Sequence, residues 1–536
     1  MIKKNISKVI FALLFTSNAA LAQSIPNELF QSPNTPVVTV GGFINFAAEH
    51  ASQSKAYSKD RLPDTPVDAD GQNTHATLTD ATEFYGTPNR YSSKTNFAND
   101  SEIYIKVGAI SDSGLKYGAI VELEADTTPN GRGNGFNADK SFIFTESQAG
   151  KFEFGNNLAA NQKMKVGPSV FARAAGGING KYLEYINTPM LAHSTQVENA
   201  GGVAVCQGGV GTAVANCANV KMPRFILIPQ SPVGHGGYAK GFYNGTSITN
   251  SDGNYNNNAN PAVHGSFNNN SLITGNNVVN NGLGIKNGSF GQMEDATKIS
   301  YYTPRINGWQ LGGSFTPDTG NTGTSAVING NNAGNIKNVV SWALNYSNNI
   351  GNLGFATSVT GENGQFQNSK AATTVDGAII RDRLNSYDAG IMVTYFGFTI
   401  GGSYGYWGTS LQQNKGIYSC DYNSEQTLAA QNCSDPITKG KKFAGAKYYT
   451  TGLAYEFGPI AFSITTISSN FQKNKYQAQS FGIDYKMARG LMPYIEVTKF
   501  KFTSNQPHAS DIASTATKQI FDNKGYVGLV GVLFAF

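Results

Sequence analysis

A few places in this sequence carry residue types at spacings that could do chemistry, and each fails on its surroundings. Gly401-Gly402-Ser403-Tyr404-Gly405 matches the Gly-x-Ser-x-Gly pattern of a hydrolase nucleophile elbow. That elbow needs a sharp strand-to-helix turn, with an acid and a histidine placed beside it. Ser403 falls mid-way along an alternating run, and the histidine that follows it, His508, lies in a loop-like stretch. Glycines at such positions are better read as bends or close packing against a wall. Gly176 to Lys181 approaches a phosphate-loop pattern, but its first glycine is misplaced and Tyr182 stands where a hydroxyl residue must ligate magnesium. The six histidines, at positions 50, 75, 193, 235, 264 and 508, are scattered and form no metal-binding helix pair. No catalytic residue, cofactor or metal is expected.

Four cysteines form two local pairs, Cys206 with Cys217 and Cys420 with Cys433, in Gly-, Asn- and Ser-rich stretches. Three connectivities are possible, and local pairing closes the shortest loops. Two loop disulfides in an oxidising compartment are therefore expected.

Such a compartment fits the N-terminus. Lys3, Lys4 and Lys8 flank an apolar run over residues 9–15, and Ala20-Leu21-Ala22 supplies small residues at a cleavage position. Residues 1–22 read as a signal peptide and 23–36 as a lead-in. Loss of the three lysines lowers the formal charge from +5 to +2. A near-neutral chain without a basic stripe argues against nucleic acid as a partner. Elsewhere no apolar run approaches the roughly 20 residues of a spanning helix.

The chain has 536 residues but only 14% charged side chains, against about 25% in an average soluble domain. Its 61 Gly, 26 Tyr and 32 Phe favour strands and turns over helices. From Val37 onward, alternating segments of about ten residues recur, joined in turn by short and long connections. Ile103, Ile105 and Val107 oppose Tyr104 and Lys106; after Asp112-Ser113-Gly114, Tyr117, Ala119 and Val121 oppose Lys116, Gly118 and Glu122. The unit repeats around Arg305-Ile306-Asn307-Gly308, Phe396-Gly397, Gly458-Pro459 and Ala488-Arg489-Gly490. Seven short turns and eight long connections give about sixteen strands, each long enough to cross a bilayer when tilted. One parity is aromatic and aliphatic while the other is small and polar. In a closed membrane barrel the first faces lipid and the second a wet lumen. The expected fold is thus all-β, a transmembrane antiparallel barrel over residues 37–536. Long segments fall at 51–96, 158–292, 317–337, 362–384, 409–443 and 503–523, with an Asn/Gly-rich stretch at 243–288.

With the hairpins in place, four passages carry a family resemblance: residues 38–46; Ala149-Gly150-Lys151-Phe152-Glu153-Phe154-Gly155; residues 296–317; and residues 525–536. In order and spacing the chain resembles the general trimeric porins of Gram-negative outer membranes, particularly the alphaproteobacterial type. The resemblance implies a homotrimer and a third loop that folds inward and narrows the channel. Here the third loop is 158–292, with residues 163–185 as the constriction and the remainder projecting outward. The terminal Phe536 resembles the signal read by the outer-membrane assembly machinery.

The expected function is a water-filled channel for passive diffusion of inorganic ions and small hydrophilic solutes, set in outer-membrane lipid. Candidate pore-lining residues are Lys106, Glu122, Glu124, Lys163, Lys165, Arg173, Lys181, Glu184 and Glu496. Acids outnumber bases on the polar parity, which leans toward cation preference. Two other classes stay open: a barrel adhesin displaying residues 243–288, and an outer-membrane barrel enzyme with a clustered acid, His or Ser at one rim.

Overall fold

The computed structural model describes residues 35–54, 94–125, 137–171, 174–186, 225–233, 293, 296–319, 336–366, 380–410, 413–415, 445–471, 474–503 and 523–536. The first strands are β1 (Val37–Gln53), β2 (Thr95–Ile110), β3 (Lys116–Glu124), β4 (Asn137–Ser147) and β5 (Gly150–Asn156). After the third loop come β6 (Thr297–Tyr302), β7 (Trp309–Asp318), β8 (Ile336–Ile350), β9 (Leu353–Phe366) and the short β10 (Ile380–Arg381). Then follow β11 (Leu384–Tyr395), β12 (Phe398–Gly408), the short β13 (Gln413–Lys415) and β14 (Ala446–Phe457). The last are β15 (Ile460–Phe471), β16 (Asn474–Tyr485), β17 (Leu491–Thr503) and β18 (Asn523–Ala535). Sixteen of these close into one antiparallel barrel, while β10 and β13 pair separately.

Alternation dictates which face each side chain takes. On β7, Trp309, Leu311 and Phe315 are exposed while Ser314 and Thr316 are buried. On β17, Ile495 and Val497 point out and Glu496 and Thr498 point in. Large apolar groups on the outside with hydroxyls and carboxylates inside reverse the order of a water-soluble protein, and suit hydrocarbon as the outer solvent. Closure leaves no open edge: Phe43 pairs with Ala535 and Gln53 with Gly525, so the two ends of the barrel sequence zip together. Phe536 extends this seam, its N–H and C=O each bonding Gly42 at 3.1 Å.

The short turns follow the sequence. Asn307 and Gly308 have φ of 49° and 88°, and Phe396 and Gly397 have 45° and 84°, the paired left-handed conformations that match strand twist in two-residue hairpins. The opposite end departs from the expected rhythm. Phe471 pairs with Asn474, so β15 and β16 are joined by two residues where a long connection was expected. The polar run Asn470 to Asn474 with an interior Lys made no distinct turn signal in sequence.

Candidate functional site

Residues 157–171 and 174–186 run along the inner wall with almost no regular structure: a one-turn helix, Ala160–Lys163, and three 3-10 turns, Pro168–Val170, Gly177–Asn179 and Lys181–Glu184. Such a segment leaves its backbone groups without ladder partners, and burial makes unpaired groups costly. The barrel wall supplies the missing partners from its side chains. Ser314 on β7 accepts the Ala160 N–H at 2.8 Å, and Ser358 on β9 accepts that of Val166 at 2.8 Å. Glu496 on β17 accepts the Gly177 N–H at 2.9 Å, and Thr465 on β15 that of Ile178 at 3.4 Å. In return Asn345, Asn45 and Gln53 donate to the carbonyls of Met164, Ala174 and Tyr185 at 3.2, 3.3 and 3.0 Å.

Inward glycines make room for this docking. A Cβ on Gly390 of β11 would lie 1.8 Å from the Val166 carbonyl oxygen, and one on Gly452 of β14 would lie 2.6 Å from Pro168. On the side of β15–β18 and β1 the contact is apolar: Ile178, Tyr182, Leu183 and Ile186 bury against Tyr476, Phe502, Val527 and Leu529. The hydroxyls of Tyr182 and Tyr476 meet at 2.6 Å. This arc of the interior is a packed core rather than open water.

The later part of the third loop corrects an expectation. Residues 225–233 do not project outward; Phe225, Ile226, Leu227, Ile228 and Val233 are buried. Phe225 sits edge-on to Phe502 at 4.9 Å, Ser469 donates to the Ile226 carbonyl at 2.7 Å, and Trp407 to that of Gln230 at 2.7 Å. The apolar run Phe-Ile-Leu-Ile in an otherwise Gly/Asn-rich stretch is the signal that could have marked it.

Four of the nine candidate charges lie in ion pairs. Glu122 binds Lys140 at 2.6 Å. Lys163 binds Glu153, which also binds Lys151 at 2.8 Å. Lys165 reaches Asp388 at 3.2 Å, the Tyr448 hydroxyl at 2.7 Å and the Pro229 carbonyl, tying both parts of the loop to β11 and β14. Lys181 binds Asp100 at 2.5 Å. Lys106 is buried on β2, 5.8 Å from the Tyr104 ring centroid. Glu124 ends β3 and Glu184 lies in the last 3-10 turn. Arg173, the four cysteines, residues 1–22 and residues 243–288 lie outside the described residues. Sequence reasoning missed Lys140, Asp100 and Glu153 as partners: the first is set by the register of β3 and β4, the other two by where the inner segment docks on the wall. Burial pulls Lys163 down to about 8, although Glu153 draws it partly back up. Ser403, the apparent nucleophile, shares a 2.6 Å hydrogen bond with Thr450 on the neighbouring strand.

The family model described as Gram-negative porin matches residues 10–205 and 236–505, most of the chain. The chain belongs to the Gram-negative porin family. That family is one of outer-membrane barrels and is not enzymatic. Among curated proteins, an uncharacterised protein of Rickettsia conorii is 28% identical over 289 residues, covering 46% of this chain and 59% of that protein. One of Rickettsia typhi is 27% identical over 284 residues, covering 46% and 58%. The alignments with these relatives thus span under two thirds of their length. Among solved structures, an anion-selective porin from Comamonas acidovorans is 12% identical with a TM-score of 0.43, covering 94% of this chain and 100% of that one. A triple mutant of the Rhodopseudomonas blastica porin is 11% identical with a TM-score of 0.41, covering 93% and 100%.

Proposed function

We propose that this porin forms a water-filled channel for passive diffusion of ions and small hydrophilic solutes, narrowed by residues 157–186. The observation that carries this reading is the fixed attachment of that segment to inward Ser, Thr, Asn and Glu side chains of the wall. The segment fills an apolar arc at β15–β18 and β1, and smaller apolar contacts seat it against β6, β8, β11 and β14. Selectivity then comes from size and from the field of wall charges in a confined space. Among the described residues, eight buried acids face the buried lysines Lys106, Lys140, Lys181 and Lys298 and the nearly buried Lys163 and Lys165, which supports cation preference. Purified protein in a planar bilayer is expected to give discrete conductance steps and a cation-selective reversal potential in a salt gradient. Absence of steps overturns the channel; an anion-selective potential overturns the sign.

Lys163 gives that potential a pH dependence. Its side chain is charged below about 8 and neutral above, so alkaline solution removes a positive charge beside Glu153. Between pH 7 and pH 9 cation preference is expected to rise, and Lys163→Met to remove that step. A step that persists in the variant assigns the titration elsewhere.

The homotrimer is a further part of this proposal, as is recognition of the terminal strand by the assembly machinery. Phe536 supports the latter: exposed on the outside, it stacks on Phe534 at 6.0 Å and closes the seam at Gly42. Phe536→Ala is expected to lower the yield of folded barrel in cells while leaving the conductance of refolded protein intact.

A further inference from the structure

The inward parity of β12 to β17 is polar at mid-height and turns aromatic toward the long loops. Ser403, Thr465, Ser480 and Thr498 stand in the mid-height rows, while nearer the long loops the same parity carries Trp407, Phe471, Tyr476 and Phe502. On β17 the alternation reverses outright. Ile495 and Val497 point out and Glu496 and Thr498 in, but two residues further on Phe500 and Phe502 point in and Lys499 and Lys501 out. A wall that faces water is ill served by this row, since wet apolar surface is costly and a buried indole N–H needs an acceptor. The upper wall is built to be covered.

Residues 225–233 supply the cover. Phe225, Leu227 and Ile228 bury in one cluster with Ile467, Tyr476, Phe500 and Phe502. Donors converge on the backbone of this run: Ser469 on the Ile226 carbonyl at 2.7 Å, the Trp407 indole on that of Gln230 at 2.7 Å, and Lys165 on that of Pro229. Within the run Gln230 and Ser231, both uncharged, keep some exposed surface. The carboxyl beside Ser231, that of Glu362, is itself buried. The two inner segments lie at different heights. Thr465 meets the lower one at Ile178, and Ser469, four residues nearer the long loops on the same strand, meets the upper one at Ile226. At about 3.3 Å per residue, those attachments stand roughly 13 Å apart along β15.

We propose that residues 225–233 are a second constriction, seated at the long-loop end of the barrel and in series with residues 157–186, which screens solutes by size. Its apolar side chains are buried and its carbonyls are held, so it acts as a fixed edge rather than a lid. With Gln230 and Ser231 at that edge, the layer brings no charge of its own, and the sign of selectivity stays with the wall. A solute entering from the long-loop side is therefore sorted first by size here and then by size and charge at mid-height. The proposal rests on the channel reading of the same lumen.

Single channels of the purified full-length protein test it, with polyethylene glycols of graded size added to one side of a planar bilayer at a time. An epitope placed among residues 504–522, between β17 and β18, marks the long-loop side. Polymer that enters the lumen lowers the conductance. The wild type is expected to exclude from the long-loop side polymer sizes that still enter from the short-turn side. F225S/L227S is expected to lose this asymmetry and to conduct more, with the reversal potential in a salt gradient unchanged. W407F/S469A, which removes two donors to the run and keeps the ring, is expected to lose part of the asymmetry, and so decides the matter if the first variant fails to fold. Equal size limits from both sides of the wild type, or full asymmetry in the variants, overturn the proposal. A shifted reversal potential in these neutral variants overturns the assignment of size alone to this layer. Discrete steps with equal size limits sink this proposal and spare the channel; a wild type without steps sinks both.

Discussion

Asp388→Ala is expected to free the constriction segment from β11 and give a wider, noisier channel. Lys165 lies buried between Asp388, Tyr448 and the Pro229 carbonyl, so removal of the carboxylate leaves an ammonium without its counter-charge. Breaking a buried pair from one side costs about 3–5 kcal/mol, whereas replacing both partners with apolar groups of similar volume is often neutral. The single variant should therefore show a raised mean conductance with flicker, and new protease cleavage within residues 157–186. Adding Lys165→Met should restore quiet, wild-type steps. An unchanged current in Asp388→Ala would mean that the pair does not hold the loop.

Gly390→Val tests the same attachment by volume instead of charge. Gly390 follows Asp388 on the inward parity of β11, and the backbone of Val166 passes where its side chain would be. Overpacking a close contact costs about 1–3 kcal/mol when a side chain can yield. Here the obstructing atom is a carbonyl oxygen, so the segment must move and its bond to Ser358 must lengthen or break. The expected result is a conductance increase like that of Asp388→Ala, with the barrel melting close to wild type because the outer β-ladder is untouched. A variant with wild-type current would place the narrowest point elsewhere. Because both substitutions act on one docking event, their effects should combine to less than the sum.

The barrel was legible in the sequence because strand alternation has a period of two and hydrocarbon outside imposes it on every strand. Trp309 to Phe315 and Tyr387 to Tyr395 declare their outward face without any knowledge of a partner. Residues 163–185 read as the inward part of the third loop, and the described residues between 157 and 186 lie along the inner wall. The partners of that segment were not legible. Ser314, Ser358, Thr465 and Glu496 looked like water-facing wall residues, because nothing local separates a hydroxyl that faces water from one that accepts a backbone N–H. The return of residues 225–233 was hidden for a related reason: a four-residue apolar run is too short to show a period.

The seam where β1 meets β18 is also where the inner segment makes its last attachments. Asn45 and Gln53 of β1 hold the carbonyls of Ala174 and Tyr185, while Val527 and Leu529 of β18 pack beneath Leu183 and Ile186. The strands that seal the cylinder thus also hold the end of the segment that lies inside it. Opening this seam would release the last attachments of the inner strap, while Ser314, Ser358 and Glu496 still hold the rest.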